Sequence, residues 1–223
     1  MTDDALTSWD GTVRLFPLPN LVLFPQVVQG LHIFELRYRQ MMHDALAGDH
    51  RIGMVLLRPD WEHDYDAKPA IHRVACLGRI TNYERLPDGR FNLHLKGIAR
   101  VKLLQELPTE RLYRVAQAEP ILDALPESLG RLTELRHQLA AVVLPRFPAD
   151  GPAQKQLREL FHGDTPLGHL CDLLGYALPL PLELKQQLLE EPDVQARAEA
   201  IRAALQVRKA ADDRPFPPRF SPN

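Results

Sequence analysis

Nowhere in these 223 residues is a glycine followed by lysine. A phosphate-cradling loop ending in Gly-Lys-Ser/Thr needs that dipeptide, because the backbone N–H groups and the lysine hold the phosphates together, so a P-loop nucleotide site is excluded. Serine is scarce: Ser8, Ser128 and Ser221 are the whole supply. Ser8 and Ser221 fall near the chain ends, and Ser128 stands at a predicted helix start, where N-capping is the ordinary use of serine. A serine nucleophile with an activating base is not indicated. The two cysteines, Cys76 and Cys171, are far apart and form no CxxC. They read as reduced thiols packed as small hydrophobes rather than as a disulfide framework. No apolar run approaches the ~20 residues of a membrane span, and Met1-Thr2-Asp3-Asp4 leads into no apolar signal segment. A cytoplasmic protein is expected. Charge of one sign is missing too: 27 Lys and Arg face 29 Asp and Glu, a net of −2. Such a balance favours neither a general nucleic-acid surface nor an anionic-membrane surface.

Histidine is not scarce. His50, His63 and His72 surround Asp60-Trp61-Glu62-His63-Asp64-Tyr65-Asp66, a stretch dense in metal-ligand types. It lacks HExxH and calcium-loop spacing, so it reads as a solvated loop and no metal or other cofactor is expected. His162 and His169 are read the same way.

The remaining composition is that of a globular protein, 45% hydrophobic and 25% charged, enough to bury a core. The first half carries strand patterns. Val13 to Leu18, Val27 to Phe34 and Ile52 to Leu57 are short apolar segments, with Gly30 read as a bulge or a close approach. Glu35 to Ala47 is a predicted helix, since Tyr38, Met41, Met42, Ala45 and Leu46 recur at helical spacing and Gly48 offers a stop. Val74 to Leu86 and Arg90 to Lys96 flank Pro87-Asp88-Gly89, a turn in which proline fixes φ and glycine supplies φ > 0. Phe91, Leu93 and Leu95 alternate with Asn92, His94 and Lys96. Gly97 interrupts that run. Ala99, Val101 and Leu103 then alternate with Arg100 and Lys102, and Leu112 to Ala118 gives a further strand. Several short strands around one core predict a closed or nearly closed β-barrel.

After Pro120 the period changes to that of helices. Leu129, Leu132, Leu135, Leu139, Val142 and Val143 define one, and Pro152 to His162 a second. Thr165-Pro166 starts a third, lined by Leu167, Leu170, Leu173 and Leu174. Leu182 to Glu190 and Asp193 to Lys209 follow. The division expected is a flexible N-terminus over 1–12, a β lobe over 13–121, a helical lobe over 122–209 and a disordered proline-rich tail over 210–223.

Five segments in this order carry a family resemblance. Phe16-Pro17-Leu18-Pro19-Asn20-Leu21-Val22-Leu23-Phe24-Pro25 resembles the opening of the N-terminal substrate-binding domain of Lon proteases. Glu35-Leu36-Arg37-Tyr38 is similar to the helix start that follows, in the form typical of stand-alone members. Gly78-Arg79-Ile80 with Leu86-Pro87-Asp88-Gly89-Arg90 resembles the family's central hairpin, and Leu95-Lys96-Gly97-Ile98-Ala99-Arg100 its next strand. Lys185 to Glu190 and Asp193 to Arg197 are similar to the last helical pair. The resemblance covers about Val13 to Leu205. It implies an α+β fold: a PUA-like mixed β-barrel lobe with one early helix, followed by a C-terminal α-helical bundle. It also implies recognition of unfolded or degron-bearing polypeptide without catalysis, and a separate ATP-dependent protease as a partner. Oligomeric state is not set by the sequence.

Four aromatic residues are the candidates for peptide contact. Trp61 and Tyr65 lie in a polar loop, where large rings mark recognition surfaces. Phe24 and Phe34 would line an apolar groove, against the ordinary alternative of core packing. Arg37, Arg39, Arg79, Arg85 and Arg90 define the competing reading, a PUA-like RNA-binding protein. The ordinary account pairs them with Glu35, Glu84 and Asp88, so nucleic acid is the less favoured partner.

Overall fold

The computed structural model describes residues 6, 9–64, 68–149 and 151–211. Tyr65, most of the 1–12 segment and the tail from 212 lie outside them. The chain divides into two compact units. One runs to Leu122 and takes in Tyr176–Glu190; the other holds Asp123–Gly175 and resumes at Glu191.

The first unit is built on six strands: β1 (Thr12–Leu18), β2 (Val28–Ile33), β3 (Arg51–Leu56), β4 (Val74–Arg85), β5 (Phe91–Leu107) and β6 (Val115–Ile121). They form one sheet in the order β2-β5-β4-β3-β1-β6, and β6 also pairs with β5. The hydrogen-bond ladder thus returns on itself through β5, β4, β3, β1 and β6, with β2 appended outside the ring. All pairs are antiparallel except β1 with β3, where Leu15 stands opposite Gly53 and Leu18 opposite Leu56. Val13, Leu15, Val55, Leu77, Val101 and Ala116, from five different strands, share one core.

The turn between β4 and β5 forms as the residues require. Gly89 has φ 81°, its N–H bonds to Leu86 O at 2.9 Å, and the Asp88 carboxylate accepts from Arg90 N–H at 3.0 Å. Gly97 does not end a strand: β5 is continuous over 17 residues. Its partner on one flank changes there from β2 to β6. A Cβ on Gly97 would lie 2.1 Å from Phe24 O and 3.0 Å from Cys76 Sγ. The glycine is needed because the Phe24–Val27 backbone crosses over it, with Gln26 N–H bonding to Gly97 O at 2.9 Å and Gly97 N–H to Val27 O at 2.8 Å. Gly30, by contrast, is neither bulge nor close approach. A Cβ there would meet only His94 Cδ2, at 3.8 Å.

α1 (Leu36–Leu46) buries Tyr38, Met41, Met42 and Ala45, and Tyr38 meets Phe16 edge-on at 4.5 Å. Its left-handed exit residue is His50 (φ 59°) rather than Gly48. Arg100, which the strand alternation placed on the polar face, is 3% exposed. Its Nε donates to Leu189 O at 3.1 Å.

That bond explains why Tyr176–Glu190 belongs to the first unit although it was expected in the helical lobe. Within α5 (Leu182–Glu190), Gln186 Nε2 donates to Val74 O at 3.1 Å, and Glu190 meets His72 at 3.1 Å. Buried strand groups find their partners in this helix, as buried polar groups must.

The second unit contains α2 (Leu129–Val143), α3 (Pro152–His162), α4 (Leu167–Ala177, as far as Gly175) and α6 (Val194–Ala211). Leu135, Leu139 and Val143 of α2 and Val194, Ala198, Ile201 and Leu205 of α6 are buried, each set at helical spacing. Ser128 occupies the N-cap of α2 but makes no side-chain cap bond. Asp193 does cap α6, accepting from Gln195 N–H at 2.8 Å. Arg136 donates to Leu160 O at 3.3 Å and Gly163 O at 3.2 Å, satisfying carbonyls at the end of α3. At the centre, Arg197 is 1% exposed and pairs with Asp172, also 1% exposed, at 2.7 Å. Its Nη2 lies 2.6 Å from Asp123 Oδ1. Burial alone would depress the Arg197 pKa, but the two carboxylates hold it above its ordinary value. No described helix is long and apolar enough to cross a membrane.

Candidate functional site

The β2 flank of the first unit gathers exposed side chains of two kinds. β2 pairs with the first half of β5, and that half pairs with the far end of β4, so Gly30, His94 and Asn82 stand in one row and His32, Asn92 and Glu84 in the next. Alternation puts these residues on the polar face. His32 Nδ1 lies 2.7 Å from Asn92 Oδ1, and Asn92 Nδ2 donates to Glu84 Oε2 at 3.3 Å. Together they border an open depression of about 490 Å³ above Gly30.

Large apolar side chains are exposed beside this row. Val28 is 52% exposed, Phe34 59%, Leu36 69% and Tyr83 48%. Val28 opens β2 and Phe34 and Leu36 follow its end, whereas Tyr83 lies on β4 opposite Leu93, on the other face from Asn82 and Glu84 by alternation. The Phe34 ring stacks on His32 at 6.1 Å, so it is held against the sheet rather than free in solvent. Gln29 Nε2 donates to Gly30 O at 2.6 Å, and its Oε1 accepts from the Tyr176 hydroxyl at 2.5 Å. Burial raises the Tyr176 pKa, so the phenol remains a donor at neutral pH.

A second concavity lies between Pro17, Arg37, Tyr38, Leu57, Pro69, Tyr113 and Arg114. Its volume is about 50 Å³, room for a few waters and far below the ~300 Å³ of an ordinary small-molecule site. Both arginines are engaged. Arg37 bonds Glu35 at 2.8 Å and stacks over Tyr38 at 4.7 Å. Arg114 bonds Glu106 at 2.9 Å and Pro69 O at 2.7 Å. The hydrogen bond from Arg114 holds the Glu106 carboxyl below its usual range. Among the described residues no group of three His, Cys, Asp or Glu side chains is placed to hold a metal ion.

Three of the four aromatic candidates lie among the described residues, and these three separate. Phe24 is 0% exposed; the loop that crosses Gly97 carries it into the core, so its ring offers no surface to a ligand. Phe34 is on the surface. Trp61 is half-buried in a single 3₁₀ turn over Trp61–Asp64. Of the arginines, Arg37 and Arg90 do pair with Glu35 and Asp88, whereas Glu84 is bonded by Asn92. Sequence reasoning missed Val28, Leu36 and Tyr83. For Leu36 a signal existed: at 100° per residue it falls opposite the stripe of Tyr38, Met41, Met42 and Ala45, an apolar residue on the polar side of its helix.

Residues 12–207 match the ATP-dependent protease La (LON) substrate-binding domain. The chain belongs to this family. It is 27% identical to a Lon protease of Dictyoglomus thermophilum over 193 residues, covering 84% of this chain and 23% of that protein. With a Lon protease of Anaeromyxobacter dehalogenans it shares 28% identity over 201 residues, covering 86% of this chain and 22% of that protein. The chain therefore spans about a quarter or less of the curated relatives' length, and the match lies in the substrate-binding domain. Among solved structures, a Lon N-terminal domain protein from Xanthomonas campestris matches with a TM-score of 0.61 at 25% identity, covering 86% of this chain and 97% of the other. The N-terminal domain of the Mycobacterium avium complex Lon protease matches with a TM-score of 0.69 at 16% identity, covering 87% and 98%. This second likeness establishes the mixed α and β fold alone.

Proposed function

We propose that this chain is a non-catalytic polypeptide-binding module that takes unfolded or degron-bearing protein segments, with the corner formed by Phe34 and Leu36 as its main apolar contact. Membership of the Lon substrate-binding family makes it a substrate-binding module in kind. The observation that carries the finer reading is the exposure of two large apolar side chains, at 59% and 69%, on either side of Glu35. Covering them by a client removes apolar surface from water, a gain of roughly 25 cal/mol per Å². Phe34 is the hot-spot candidate, since its ring is already ordered against His32 and loses little freedom on binding. Trp61 and Tyr65 are proposed as accessory contacts. We read the self-closing ladder as a PUA-like β-barrel, the protein as cytoplasmic, and its partner as a separate ATP-dependent protease that receives the client.

The test is fluorescence anisotropy with labelled, denatured casein. Micromolar binding by the wild type is expected. The double variant Phe34→Ser, Leu36→Ser should weaken it about tenfold, which corresponds to about 1.4 kcal/mol. Its fold should be unaffected, because the substituted side chains are exposed. No binding by the wild type at several hundred micromolar would overturn the proposal.

A further inference from the structure

We infer that the client adds to the sheet as an extended strand along the free edge of β2, with a large aromatic side chain seated over Gly30. This rests on the polypeptide-binding reading and specifies its geometry. Among the described residues β2 pairs with β5 alone. The bonds of Gly97 N–H to Val27 O and Gln26 N–H to Gly97 O fix the phase of that ladder. Antiparallel pairs alternate, so Gln29, Leu31 and Ile33 exchange bonds with β5, and Val28, Gly30 and His32 turn their N–H and C=O groups outward. A row of alternating donors and acceptors is the complement of another extended backbone. Proteins usually blunt such an edge with Lys, Pro or inward charge. Here no Lys, Arg, Asp or Glu occurs between Arg14 and Glu35, and no proline occurs within β2. An uncharged edge matches an uncharged client segment, the kind a folded protein hides. One outward carbonyl, that of Gly30, already accepts Gln29 Nε2 at 2.6 Å, and its second lone pair remains for a guest N–H.

Gly30 sets the preferred side chain. Lacking a Cβ, it leaves a gap in the polar face between Val28 and His32, with His94 at its floor. A cross-strand aromatic ring covers such an edge glycine. Here it would lie against exposed Val28 on one side and the stacked His32–Phe34 pair on the other.

The probe is an uncharged fluorescent peptide of alternating Thr and Val with one central Trp, compared with its Trp→Ala form and with a form N-methylated at alternate residues. Wild-type protein should bind the Trp peptide at least fivefold tighter than the Ala peptide and should lose the N-methylated one. Hydrogen exchange at the Gly30 and His32 amides should slow on binding. Gly30→Val fits sterically and suits a strand, and should bring the Trp-to-Ala preference to about one. Val28→Pro removes an outward N–H, a position where an edge strand tolerates proline, and should weaken both peptides tenfold. Equal binding of the N-methylated peptide, unchanged exchange at Gly30 and His32, or a Trp preference retained in Gly30→Val would overturn strand addition. If denatured casein still binds in that event, only this inference fails; if it does not, the polypeptide-binding reading falls as well.

Discussion

Replacing Asp172 by alanine should destabilise the helical unit by about 3–5 kcal/mol, the cost of leaving one member of a buried ion pair without its partner. The geometry sets the upper part of that range. Arg197 and Asp172 are each 1% exposed, so no solvent reaches the guanidinium to replace the lost carboxylate. Asp123 remains at 2.6 Å but is 29% exposed, and its field is correspondingly screened. The packing is tight as well: a Cβ on Gly168, one turn before Asp172, would lie 2.3 Å from Asp123 Oδ2. For a unit of this size each kcal/mol lowers the melting temperature by about 4–8 °C. The assay is urea denaturation read by two probes. Trp9 and Trp61, the only tryptophans, lie in the first unit, so their fluorescence follows that unit, and far-ultraviolet circular dichroism weights the helices. Only the dichroism transition should shift. The double variant Asp172→Leu, Arg197→Met should recover most of the loss, since apolar replacement of a buried pair is often neutral or stabilising. A loss below about 1 kcal/mol in Asp172→Ala would show that the pair is not a buried electrostatic contact.

Gly97→Ala should cost about 1–3 kcal/mol or more of first-unit stability, because the new methyl would press on the Phe24 carbonyl, which cannot swing away as a side chain could; urea denaturation followed by tryptophan fluorescence measures it. Acid should act through Glu106. Its carboxyl is held below an ordinary value near 4.5 by Arg114, so its contribution is fully present above that value and is lost as pH falls through the depressed one; Glu106→Gln should flatten that part of an acid-unfolding curve. Structured RNA should show no binding that falls steeply between low and moderate salt; such a slope would revive the nucleic-acid reading.

What the sequence made legible was local. The Pro87-Asp88-Gly89 turn, the stripe of α1 and the Thr165-Pro166 start of α4 depend on residues within one turn of each other. The rest depends on partners far along the chain. Arg100 reads as a solvent-facing strand residue because its acceptor, Leu189 O, is 89 positions away. Gly97 reads as a breaker because the Phe24–Val27 backbone that crosses it comes from before the first helix. Phe24 and Phe34 are alike in composition and neighbourhood, yet one is core and the other surface. The parallel β1–β3 pairing and the return of β6 to β5 left no mark on either pattern.

The dependence of the first unit on Tyr176–Glu190 bears on how the protein comes into being. A nascent chain that has left the ribosome only as far as residue 122 holds all six strands, yet Arg100 and the Val74 carbonyl still await α5. The whole of the helical unit up to Gly175 must be synthesised before those buried groups are satisfied. The first unit is therefore expected to mature late in translation, and fragments cut near residue 122 should bind chaperones and expose protease sites that the full chain conceals.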